Sequence, residues 1–88
     1  MSATDAVITT TQRKAAIGLK LAILQRRMPP GWEGWSHTEL IEFRAALAAA
    51  SRARCHGSLS DLLLAAGRIA RAYNEPMALI DPCHGQAS

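Results

Sequence analysis

The residues of this chain best suited to chemistry form a repeated tripeptide, Cys55-His56-Gly57 and Cys83-His84-Gly85, which uses both cysteines of the protein. Cysteine and histidine are metal ligands, and a thiolate beside an imidazole is also the beginning of a nucleophilic or redox site. A different consideration argues against each of the three. Paired ligands of structural zinc sites are separated by roughly two to five residues so that both converge on one ion. Adjacent Cys and His instead diverge by about 100° on a helix. A Cys55–Cys83 disulfide calls for an oxidising compartment. A cysteine nucleophile requires a neighbouring base and an oxyanion site, and no such framework is visible. The repeat therefore reads as coincidence combined with helix capping. Cys55 closes a helix, His56 sits near its last carbonyls, and Gly57 is expected as a left-handed cap. No metal and no cofactor are expected.

Other catalytic groupings are equally sparse. Glu39, Glu42 and Asp61 fall in or near first helical turns, where capping and the helix dipole account for them. The chain has no glycine-rich phosphate loop, no Gly-x-Ser-x-Gly and no His-Glu-x-x-His. Three capped helices in 88 residues leave little room for an enclosed pocket. The chain is not expected to be an enzyme.

Composition sets the wider bounds. With 49% hydrophobic and 19% charged residues, the chain is globular and at most one domain. Alanine supplies much of the apolar count, so the core is thin, and a second chain is the expected way to complete it. The net charge is +3, the pI is about 9.4, and eight arginines stand against two lysines. Such a bias is what a GC-rich bacterial or phage coding sequence produces. The amino terminus lacks the pattern of a secretory signal, and the apolar run after Lys20 is too short to span a bilayer. A cytoplasmic, non-membrane location follows as the expectation.

The elements read as all-α, a small three-helix bundle over residues 9–80, with a flexible arm at 1–8 and a tail at 81–88. Thr9 with Gln12 forms a capping box that opens the first helix. Pro29-Pro30 stops it, giving an expected end at Arg27 or Met28. Two apolar stripes lie on this helix: Ile17, Leu21, Leu24 and Met28, and then Ala15, Leu19, Ala22 and Ile23. Arg13, Lys20 and Arg27 form a basic line between them. The expected arrangement is a central helix touching two others, with the alternative that one stripe faces another chain.

PPGWEGWS is a shaped turn carrying Trp32 and Trp35. Ser36 and Glu39 cap the second helix, whose stripe is Leu40, Phe43, Leu47 and Ala50. Ala45, Ala46, Ala48 and Ala49 are expected to form a smooth surface. Ser58 or Ser60, with Asp61, opens the third helix. Its buried side is Leu59, Leu62, Leu63, Ala66, Ile69, Ala70 and Tyr73. Gly67 weakens this helix unless close packing needs the space. Asn74 and Pro76 end it. Residues 77–80 are expected as one more turn across the bundle.

Surface chemistry gives the functional expectation. Leu19, Ile23, Trp32, Trp35 and Leu64 are the candidate contacts of a protein partner, with Trp32 and Trp35 serving either as a lid over the bundle end or as anchors. The expected role is a small regulator, adaptor or inhibitor that also self-associates. The alternative is a bacterial or phage DNA-binding regulator using Arg52, Arg54, Arg68 and Arg71. The stretch GRIARAYNEPMALID, residues 67–81, resembles the last helix of phage-repressor-type domains; the likeness omits the DNA-reading part.

Overall fold

A computed structural model describes residues 8–85. The expected arm, save Ile8, and the last three residues of the expected tail lie outside the described residues. Three helices, α1 (Thr10–Leu24), α2 (His37–Cys55) and α3 (Leu59–Tyr73), make an all-α three-helix bundle, and no strand occurs among the described residues.

Each helix begins with a reciprocal capping box. Thr9 Oγ1 accepts from the Gln12 N–H at 3.1 Å while the Gln12 side chain accepts from the Thr9 N–H at 3.0 Å. Ser36 and Glu39 repeat the motif, as do Ser58 and Asp61, which settles the choice of cap for α3. Each box satisfies two backbone donors that would otherwise be orphaned at a helix start.

The endings differ more. α1 stops at Leu24 rather than at Arg27 or Met28. Pro29 and Pro30 have no N–H to offer the carbonyls of the preceding turn. The chain instead tightens, with Arg26 and Arg27 donating to carbonyls three residues back at 3.2 and 3.4 Å. The Tyr73 hydroxyl then donates to the Arg27 carbonyl at 2.7 Å, pinning the end of α1 to the end of α3. Pro30 and Gly31, the latter at φ 80°, form a turn closed by Trp32 N–H to Pro29 O at 3.3 Å, the arrangement expected of a type II turn. α3 ends on left-handed Asn74, with Glu75 N–H bonded to Ala70 O at 2.9 Å.

Gly57 is not the left-handed cap expected of it; His56 ends α2 at φ −131°, and Gly57 is not among the residues with positive φ. A Cβ at Gly57 would press on the Ala53 backbone, so the glycine serves close approach in the α2–α3 turn.

The core is formed by Ile17 and Leu21 of α1, Phe43, Ala46, Ala50 and Ala53 of α2, Leu62, Ala65, Ala66, Ile69, Ala70 and Tyr73 of α3, and Ile80 beyond it. The smooth alanine surface expected for close approach divides: Ala46 is buried and Ala49 half-buried beside α3, while Ala45 and Ala48 stay exposed. Trp35, Phe43 and Tyr73 meet in a row, Trp35 and Phe43 edge-to-face and Phe43 and Tyr73 tilted, with ring centroids 5.3 and 5.9 Å apart. Residues Met77–Leu79 make the further turn expected there, and Ile80 is buried beneath it.

Candidate functional site

Two surfaces carry the expected contact residues. The first is the outer face of α1. Ile17 and Leu21 are fully buried against α2 and α3, whereas all four residues of the second stripe, Ala15, Leu19, Ala22 and Ile23, are exposed. Leu19 is 63% and Ile23 43% accessible. The expectation that both stripes pack inside the bundle is therefore corrected. Residues three to four apart share a helix face, so one narrow stripe suffices for α1 to meet both neighbours. Met28, expected on the inner stripe, lies beyond the helix end and is exposed.

Polar anchors fix the rotation of α1. Arg13 Nε and Nη2 donate to the Asp81 carboxylate at 2.8 and 2.6 Å, and Asp81 is 2% exposed. The Cys83 N–H also donates to Asp81, at 3.0 Å. Hydrogen bonding from Arg13 holds the Asp81 carboxyl below its usual range, against the opposing effect of burial. Asp81, the first residue of the expected tail, is thus fastened to the bundle. Lys14 Nζ donates to the Gly57 carbonyl at 2.8 Å, tying α1 to the α2–α3 turn. Gly18 leaves room for the Arg54 guanidinium, with which a Cβ would collide. Arg54 is consequently laid over α1, apart from the other three arginines of the nucleic-acid alternative.

The second surface is the groove between α2 and α3 on the side that α1 does not line. Two open depressions of about 690 and 390 Å³ share Ala46 and Arg68. Trp35, Phe43, Glu39 and Glu42 lie at one end with Arg68 and Arg71; Arg52, His56, Asp61 and Leu64 lie at the other. The start of α2 is therefore opposite the end of α3, and the two helices run antiparallel alongside each other. A DNA-reading helix-turn-helix crosses its helices at about 90–120° instead. The three-residue connection His56-Gly57-Ser58 has the length and the glycine of such a motif, but not this geometry.

Four of the five expected partner contacts divide between these surfaces, and Trp32 lies on neither. Leu19 and Ile23 sit on α1, whereas Trp35 and Leu64 line the groove. The two tryptophans also part company. Trp35 is half-buried in a T-shaped contact with Phe43, while Trp32 is 38% exposed in the short turn Trp32–Gly34. Leu64 is 65% exposed. Sequence reasoning missed the roles of Asp81, Lys14 and Gly18. Their partners lie 68, 43 and 36 residues away, so no local pattern marks them.

Neither cysteine is bonded: Cys55 is exposed and Cys83 half-buried, both as free thiols. Among the described residues, no three His, Cys, Asp or Glu side chains gather as a metal site would require. No described helix is long and apolar enough to cross a membrane. No protein family, no curated protein and no solved structure matches this chain.

Proposed function

We propose that the chain is a small non-enzymatic regulator or adaptor that acts in the cytoplasm by docking on a protein partner and occluding or bridging it. The observation that carries this reading is the exposure of Leu19 and Ile23 on a helix whose opposite face is fully buried. Exposed large apolar side chains grouped on one helix face are the usual substance of helix-mediated recognition. Leu64, on the groove wall, adds a second apolar point.

The alternative is a nucleic-acid-binding regulator. It is favoured by Arg52, Arg68 and Arg71, which line one groove and make no ion pair among the described residues. A pull-down of the tagged chain from bacterial lysate, with and without nuclease and alongside Leu19→Asp, separates the two. The docking reading expects a stoichiometric protein that survives nuclease and is lost with Leu19→Asp. Material that vanishes with nuclease, and whose binding falls steeply with salt, transfers the assignment to nucleic acid. We also propose that the chain self-associates, as its thin core suggests, which sedimentation of the free protein tests.

A further inference from the structure

The exposed face of α1 has an electrostatic character that narrows the partner. From residue 10 to residue 32 the chain contains no Asp or Glu, yet it carries Arg13, Lys14, Lys20, Arg26 and Arg27. Arg13 and Lys14 are engaged inside the fold, on Asp81 and on the Gly57 carbonyl. Lys20, Arg26 and Arg27 are exposed and make no ion pair among the described residues. Lys20 lies three residues before Ile23 on α1 and one after Leu19, so it borders the apolar stripe, while Arg26 and Arg27 follow directly on the C-terminal end of the helix. We propose that this face binds an amphipathic helix of another protein whose apolar stripe is flanked by aspartate or glutamate. The proposal rests on the protein-docking reading and names the chemistry of its partner.

Three other occupants fit less well. A lipid surface rewards bulky side chains, but Ala15 and Ala22 alternate with Leu19 and Ile23, and such small gaps receive the knobs of a packing helix. A phosphate backbone would leave Leu19 and Ile23 uncovered. A second copy of this chain offers few free acids. Glu39 and Asp61 cap helices, and Asp81 is held by Arg13. Glu33, Glu42 and Glu75 belong to three separate segments.

The test uses the full chain, labelled with 15N, and a synthetic amphipathic helix of three heptads with leucine on its apolar face and glutamate on both flanks. A matched peptide with lysine flanks and anionic phosphatidylglycerol vesicles are the comparisons. The glutamate peptide is expected to shift the amides of Ala15, Leu19, Ala22 and Ile23. Its affinity should fall about tenfold between ~0.05 and ~0.3 M salt, and by a similar factor in Lys20→Glu with Arg26→Glu. Leu19→Asp, at an exposed position, should abolish binding with helix content unchanged. Equal binding of both peptides, shifts centred on the α2–α3 groove, preference for vesicles, no shift at all, or dimer-dependent shifts without peptide would each overturn the proposal. Retrieval of a partner that depends on Leu64 instead would leave the docking reading standing and remove this one.

Discussion

Ile17 and Leu21 on one face of α1, and Leu19 and Ile23 on the other, are side chains of one kind at one spacing. The first pair is fully buried and the second pair exposed. Apolar content does not distinguish the faces, so something else chose the rotation of the helix. The difference lies in the neighbours. Arg13 and Lys14 reach acceptors on Asp81 and Gly57 when Ile17 points inward, and Gly18 then meets Arg54 with no Cβ in the way. Rotating α1 by half a turn would strand two cations from their acceptors. Burial supplies most of the free energy here, while the polar contacts of Arg13 and Lys14 select which face receives it.

The largest effect that would sharpen this contrast is expected from Leu21→Ala. Deleting a fully buried leucine should cost about 2–5 kcal/mol in denaturant unfolding, whereas Leu19→Ala should stay within about 0.5 kcal/mol. Comparable losses at the two sites would break the comparison.

A smaller effect is expected at the anchor. Asp81→Asn replaces a charge-assisted pair with neutral hydrogen bonds and should cost about 1–2 kcal/mol at neutral pH. The sign with pH follows from the lowered carboxyl of Asp81. Its contribution is complete above the unfolded-state value and is withdrawn as pH falls through the folded one. Unfolding measured in acid should therefore show wild type losing stability below the ordinary carboxylate range, while the variant declines less steeply.

The smallest effect is a gain. Gly67 lies within α3, and nothing stands within 4 Å of where its Cβ would be. Gly67→Ala should raise stability by roughly 0.5–1 kcal/mol through helix propensity, read as an upward shift of the thermal midpoint. A loss there would mean that close packing outweighs propensity on the outer side of α3 as well.

The legible parts of the fold are the local ones. Capping partners three residues apart, Asn74 before Pro76, and the inner stripe of α1 are short-range patterns, so the helix starts and the end of α3 could be read directly. The early end of α1 could not, because the two prolines fix where the helix must have stopped but not how far ahead of them the chain tightens, nor that Tyr73 of α3 holds the Arg27 carbonyl there. The role of Gly57 was misjudged for a related reason: proximity to Ala53 and a positive φ both favour glycine, and sequence does not separate them. At the candidate site, Leu64 was legible as an apolar residue on the arginine-bearing side of its helix, and Leu19 and Ile23 as a second stripe, but not which way that stripe faces. The division of Trp32 from Trp35 was not, because it turns on where Phe43 stands. The separation of Arg54 from Arg52 required knowing that α1 lies over one of them.

The bond between Arg13 and Asp81 also bears on the order in which the chain assembles. α2 and α3 are joined by three residues and can associate at little cost in loop entropy. The Arg13–Asp81 pair closes the chain across 68 residues and gains nothing until α1 is in place. The hairpin is therefore the natural nucleus and the pair a late latch. Replacing Asp81 should then speed unfolding while leaving the folding rate nearly unchanged, so that one side chain governs how long the folded molecule lasts more than how fast it forms.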